Sequence, residues 1–183
     1  MHQHGPWKIV RSHQIYKDPW IDLRMDDVIR PDGKPGTHSL VQMKHGVSVL
    51  PVDDEGNVYL TEEFHYGVGR DTIEVISGGL EPGEDPLAGG QREALEELGI
   101  LAREWIPLGR VDPFTTMAVS PTTLFLVRGL TFVEARPEGT ELIRCVKKTL
   151  AEAVQMVWNS EITQGPSCVL ILKAQMYLSG QMS

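Results

Sequence analysis

The sequence predicts a mixed α/β sandwich preceded by a section of antiparallel strands. Three observations carry this expectation. Strand-like runs fill the first sixty residues: Ile21, Leu23 and Met25 alternate with Asp22, Arg24 and Asp26, the period of a half-buried strand. A helical stretch in the middle of the chain, within residues 78–100, has strand candidates on either side. Two capped helical segments close the chain.

Residues 7–15 and 20–29 read as two strands. Pro31, Asp32, Gly33, Lys34, Pro35 and Gly36 make a turn by composition, and residues 37–44 return as a third strand. These first 44 residues form a small antiparallel section ahead of a main domain over residues 45–183. Residues 46–52 and 57–61 are strands joined by Asp53, Asp54, Glu55 and Gly56, a hairpin loop. A short strand over 70–76 leads into the central helix. Further strands are expected at 102–111, 122–128 and 142–146, with a loop at 112–121. Thr149 with Glu152 is a capping box, opening a helix through about Trp158. Gly165 and Pro166 open a last helix through Leu178.

The chain has 183 residues, 41% hydrophobic and 23% charged, ordinary for a globular protein with a real core. Its net charge of −8 argues against a broad surface for nucleic acid or anionic membrane. No apolar run nears the length of a membrane span, and no signal peptide is expected. Cys145 and Cys168, the only cysteines, show neither metal spacing nor a disulfide framework. A reducing, cytoplasmic compartment fits. His2 and His4 fall in an N-terminus expected to be disordered.

The chemistry concentrates in residues 78–100. A glycine-rich loop runs into a helix with Asp85 as N-cap, Pro86 at the first helical position and Gly99 at the C-terminal end. Glu93, Glu96 and Glu97 stand at i, i+3 and i+4, so their carboxylates share one side of the helix. Like charges at that spacing cost about 0.2–0.5 kcal/mol per pair. Anions near a helix C-terminus cost about 0.3–1 kcal/mol each against the dipole. A hard divalent cation would remove both penalties. An all-oxygen ligand set selects Mg²⁺ or Mn²⁺ over zinc.

Gly78, Glu84 six residues later, then Arg92, Glu93, Glu96, Glu97, Gly99 and Ile100 resemble the Nudix box, G-x5-E-x7-R-E-U-x-E-E-x-G-U with U a bulky aliphatic. The soft departure is Ala94, small where the pattern has a larger apolar residue. Beyond the box the layout resembles the ADP-ribose pyrophosphatase branch. Glu62-Glu63-Phe64, Glu74-Val75-Ile76-Ser77-Gly78 and Glu138-Gly139-Thr140-Glu141 stand where that branch has a strand end, the approach to the box and a late acidic loop.

The resemblance implies a Nudix-type α/β/α sandwich with a mixed central sheet. It makes Glu93, Glu96 and Glu97 the metal ligands, helped by the Ser77 carbonyl, and it pairs Glu84 with Arg92 to fix the loop against the helix. Glu141 is the first candidate for the catalytic base or a further ligand, and Glu138 the second. Trp20 is placed to stack on an adenine ring. Phe114 and Met117 are candidates to line the pocket, and Glu74 is counted with the substrate-binding residues. Two departures bear on the substrate. His65 stands where the branch has an arginine that grips the far end of the substrate, with Arg70 as a possible substitute. Pro113 is followed by Phe114 rather than by glycine. The resemblance also implies a homodimer, in which the N-terminal strands exchange and help build the partner's base-binding wall.

The function expected is metal-dependent hydrolysis of a nucleoside diphosphate sugar, ADP-ribose first. A dinucleoside polyphosphate or NADH is the alternative substrate. A nucleotide-sugar-sensing module without turnover is the alternative class. That class tends to lose box glutamates, and this chain keeps them.

Overall fold

The computed structural model describes residues 1–137 and 142–180. The chain divides into two compact units, one of Met1–His45 with Asp112–Pro121, the other of Gly46–Val111 with Thr122–Ser183.

The first unit is a five-stranded sheet. Its strands are β1 (His2–His4), β2 (Trp7–Lys17), β3 (Ile21–Ile29), β4 (Pro35–Met43) and β10 (Ala118–Val119), hydrogen-bonded in that order. The three long strands follow the expected alternation. Arg24, Asp26 and Val28 share one face because successive side chains of a strand point to opposite sides. Two expectations are corrected here. His2 and His4 are not in a disordered tail: they belong to β1, which pairs antiparallel with β2, His2 opposite Ile9 and His4 opposite Trp7. The stretch 112–121 is not loop throughout, since β10 adds to β4 as a parallel edge strand.

In the second unit a four-stranded sheet is ordered β8 (Ile76–Gly79), β5 (Gly46–Pro51), β11 (Thr122–Phe132) and β9 (Ile100–Val111). β5 and β11 run parallel, and the other pairs are antiparallel. A second sheet is ordered β12 (Arg144–Thr149), β6 (Asn57–His65) and β7 (Arg70–Glu74), all antiparallel. Two helices, α2 (Leu150–Trp158) and α3 (Gly165–Leu178), follow; α1 (Pro86–Leu98) lies between β8 and β9 in the chain. The mixed α/β sandwich is the expected one, with its strands divided between two sheets. The strand expected at 142–146 begins at Arg144 and runs on to Thr149.

Alternation along β5 and β11 sorts the core. Val47, Val49, Phe125 and Val127 pack with Ala94 of α1. Leu50, Leu124 and Leu126 pack with Leu170 and Ile171 of α3. Both faces of these central parallel strands are therefore covered, which is why residues 46–52 read as a nearly unbroken apolar run. The capping box of α2 forms as expected: Glu152 N–H donates to Thr149 Oγ1 at 3.2 Å and Thr149 N–H to the Glu152 carboxylate at 2.8 Å.

Candidate active site

The site is built on α1 and the strand beside it. Asp85 caps the helix by accepting from the N–H of Leu87 at 2.9 Å and of Ala88 at 3.4 Å. Gly99 ends it in the left-handed conformation at φ 61°, which glycine adopts at little cost. These two ends fix which way Arg92, Glu93, Glu96 and Glu97 point.

β8 supplies the opposite wall. Gly78 sits against the Glu93 carboxylate, so closely that a Cβ at Gly78 would overlap it. One residue earlier, Ser77 N–H donates to Glu97 Oε1 at 3.3 Å. One residue later, the carbonyl of Gly79 accepts from Arg92 Nη2 at 3.1 Å. Glu97 is buried, at 9% exposure.

Arg92 is the hub. Its Nε and Nη2 form a bidentate pair with Glu84, each bond 3.1 Å, the geometry that gives guanidinium–carboxylate pairs their strength. Its Nη1 donates to Glu93 at 2.8 Å and to Glu96 at 3.1 Å. The hydrogen bonds it donates to Glu84, and then to Glu93, outweigh the cost of burial and raise the guanidinium pKa further above its ordinary value. Glu84 also accepts from Glu81 N–H at 2.9 Å, so the glycine-rich loop is tied to the helix through one carboxylate. Glu84, Glu93 and Glu96 thus share one guanidinium while Glu97 accepts from the Ser77 backbone, and negative charge is in excess.

Residues 43–159 match the NUDIX domain. The chain belongs to the Nudix family. Residues 7–41 of this Nudix chain match the nucleoside diphosphate sugar hydrolase N-terminal domain. Among curated proteins it is similar to the ADP-ribose pyrophosphatase of Bacillus subtilis (strain 168), 29% identical over 92% of each chain. It is 25% identical to the methanol dehydrogenase activator of Bacillus methanolicus, again over 92% of each. It is 26% identical to the ADP-ribose pyrophosphatase of Mycobacterium tuberculosis (strain ATCC 25618 / H37Rv), covering 95% of this chain and 86% of that one. In fold it matches the crystal structure of an ADP compounds hydrolase with a TM-score of 0.85, covering 99% of this chain and 98% of the other at 15% identity. It is a Nudix hydrolase, and dependence on divalent metal is general to that family.

The residues present fit such an ion. The donor set is carboxylate oxygen throughout, and Arg92 Nη1 already stands as a cation between Glu93 and Glu96. Among the described residues, no three His, Cys, Asp or Glu side chains converge on a single point, because Glu93 and Glu96 turn to Arg92 while Glu97 turns to the backbone of Ser77.

The other candidates fall into two groups. His65 and Glu74 are together: His65 Nε2 lies 3.2 Å from Glu74 Oε1, and Thr72 donates to the same oxygen at 2.7 Å. Arg70 pairs with His65 across the β6–β7 ladder, but its guanidinium goes to Thr163 at 2.9 Å and to the Asp71 carbonyl at 3.2 Å. Trp20 and Phe114 belong to the first unit and are 69% and 67% exposed, so either ring can stack on an added group. Met117, in the same unit, is also exposed. Glu138 and Glu141 lie outside the described residues.

Sequence reasoning missed Ser48 and Thr72. Ser48 is fully buried and its hydroxyl is 3.0 Å from that of Ser77. A lone serine in the apolar run of β5 was the available signal, since a buried hydroxyl requires a partner.

Proposed function

We propose that this chain hydrolyses the diphosphate of ADP-ribose or a related ADP-sugar, giving AMP and a sugar phosphate. The observation that carries the reading is the carboxylate excess on α1, seated against Gly78 and Ser77 and bound to one arginine. Support for the substrate comes from the similarity to two ADP-ribose pyrophosphatases. Mg²⁺ or Mn²⁺ is the proposed ion, with Glu93, Glu96, Glu97 and the Ser77 carbonyl as its ligands. Bound there, it would neutralise diphosphate charge and lower the pKa of the attacking water.

The chain's own groups do the rest. Glu84 and Arg92 hold the loop against the helix, so the carboxylates keep one geometry. Glu97, anchored by Ser77 N–H, is the box residue closest to the chemistry in this reading. Glu141, with Glu138 second, is the proposed acceptor for the proton of the water. His65, Glu74 and Arg70 at the β6–β7 hairpin are assigned to the sugar end of the substrate. Trp20 and Phe114 are assigned to the base. With histidine in place of arginine at His65, the grip on the sugar is weaker and the choice of sugar or base is broader.

Residues 1–44 are proposed as a dimerisation section and 45–183 as the catalytic domain. The two free thiols, Cys145 and Cys168, suit a cytoplasmic setting. The deciding assay offers ADP-ribose, ADP-glucose, GDP-mannose, diadenosine polyphosphates, NADH and deoxynucleoside triphosphates with Mg²⁺ and reads products by chromatography. ADP-ribose or another ADP-sugar is expected to turn over fastest. Faster turnover of a triphosphate than of every nucleotide sugar rejects the assignment. Sedimentation is expected to show a dimer at micromolar concentration, and a fully active monomer rejects the assembly.

A further inference from the structure

β8 is the edge of its sheet, beside β5, and Ser77 stands opposite Ser48 of β5. Antiparallel partners alternate between pairs that exchange both backbone bonds and pairs that exchange neither. Ser77 N–H is given to Glu97 Oε1 at 3.3 Å. This is therefore a pair of the second kind, and the N–H and carbonyl of Ser77 both face away from β5. What ties the residue across to β5 is its side chain: the two hydroxyl oxygens are 3.0 Å apart.

The direction of that bond follows from the next one. Ser77 Oγ donates its proton to the Val75 carbonyl at 3.1 Å, so Ser48 is the donor to Ser77. Val75 lies where the chain leaves β7 for β8 and crosses from one sheet to the other. Its N–H is likewise met by a hydroxyl, donating to Ser167 Oγ of α3 at 3.0 Å. Ser48 and Ser167 are both fully buried. Alternation puts Ser48 on the face of β5 that carries Leu50 toward α3, opposite the face that Val47 and Val49 turn to α1. Ser48 thus stands across β5 from α1 and reaches the box carboxylates only through Ser77. A hydroxyl in that place has given up its bonds to water, a cost that alanine would not carry.

We infer that Ser48 is a positioning residue for the metal-dependent hydrolysis. It fixes the hydroxyl of Ser77, and with it the backbone whose N–H anchors Glu97 and whose carbonyl is assigned to the ion. The metal half of this inference rests on the ligand set proposed above. The control of the Ser77 backbone does not.

The test compares Ser48→Ala with the parent, both as full-length chains. In the metal-free protein, followed by NMR, the Ser77 amide hydrogen should exchange about ten-fold faster relative to that of Leu170, which lies within α3 and reports global opening. Mn²⁺ titration by electron paramagnetic resonance, without substrate, should give binding about ten-fold weaker, the low end of what outer-shell partners cost. Turnover of ADP-ribose should fall at limiting Mg²⁺ and recover in excess Mg²⁺. Ser77→Ala should weaken Mn²⁺ at least as much, and the two substitutions together no further than Ser77→Ala alone, because both act through one bond. Ser77 is only half-buried, so that variant serves if Ser48→Ala does not fold. Ile171→Val, a truncation of a fully buried side chain of α3, should lower the melting temperature and leave Mn²⁺ affinity unchanged. An unchanged Ser77 amide overturns the inference. Losses at the two serines that multiply, or an equal loss in Ile171→Val, make Ser48 a packing residue and overturn its role. Turnover that excess Mg²⁺ fails to restore overturns the route through the ion. A parent chain that binds no Mn²⁺ overturns the metal half together with the ligand set above, and the amide exchange still decides the other half.

Discussion

Gly78→Ala is the most informative single substitution. The added Cβ falls on the Glu93 carboxylate. The strand cannot withdraw easily, because Gly78 pairs with Val47 of β5, which is 1% exposed and packed in the core under α1. Glu93 must therefore swing away. That breaks its 2.8 Å bond from Arg92 Nη1, a charged hydrogen bond of the kind worth about 1.5–3 kcal/mol. Overpacking of a closed site costs about 1–3 kcal/mol. The two costs overlap, since moving Glu93 relieves the clash, so a net loss of about 2–4 kcal/mol is expected. Glu84 and Gly79 still hold Arg92, so the loop stays attached and the fold survives. Urea denaturation with and without Mg²⁺ gives the stability, and a turnover assay gives the activity. The variant should be destabilised, should gain less stability from Mg²⁺ than the parent, and should lose at least a hundred-fold in kcat/KM. Parental activity together with a stability change below about 0.5 kcal/mol would refute the argument that Gly78 exists to seat Glu93.

Three further outcomes are expected. Glu97→Gln should keep the fold, by circular dichroism, and lose turnover by orders of magnitude; EDTA should silence the parent chain, and full activity in either test rejects the metal helix. Gly90→Ala should lower the melting temperature, because the new Cβ would lie 3.0 Å from the Trp105 ring and 3.3 Å from both Val47 and Val49, and that crowding outweighs the roughly 1 kcal/mol of helix propensity gained. Asp53→Asn should cost stability at neutral pH and progressively less in acid. Burial works to raise the Asp53 pKa, but hydrogen bonds from Asn57, Lys147 and Tyr59 win and hold it below the ordinary carboxylate range. A depressed folded-state value stabilises above the unfolded value of about 3.9 and loses that contribution as pH falls below it. Denaturation at pH 7 and at pH 3 checks the sign, and a difference that grows in acid refutes it.

The parts of the fold legible in the sequence are those whose causes are local. Asp85 and Gly99 mark the ends of α1 because capping depends on a few adjacent residues. The alternation at Ile21, Leu23 and Met25 marks β3 because period two survives in a half-exposed strand. β1 and β10 were not legible for the opposite reason. His2–His4 is a strand only because β2 folds back on it, and Ala118–Val119 only because β4 offers a free edge more than seventy residues away in sequence. In the site, the spacing pointed to which glutamates share a face. It did not show that Glu93 presses on Gly78, that Ser48 meets Ser77, or that Arg70 turns to Thr163, all of which depend on elements distant in the chain.

The way Arg92 divides its nitrogens explains why the box requires an arginine rather than any cation. Nε and Nη2 serve Glu84 and the Gly79 carbonyl, which belong to the loop. Nη1 alone serves Glu93 and Glu96, which belong to the helix. The loop contacts are structural, and the helix contacts neutralise charge. In the proposed reading, a divalent ion held by Glu93 and Glu96 would compete only with the Nη1 bonds, and the loop would remain clamped. A lysine, with one nitrogen, cannot separate the two tasks. It could offset the charge or tie down the loop, and losing either one loosens the site. The planar fork of the guanidinium therefore keeps the carboxylates ordered, and under the proposed metal role would leave them available to an ion without unfolding the loop that positions them.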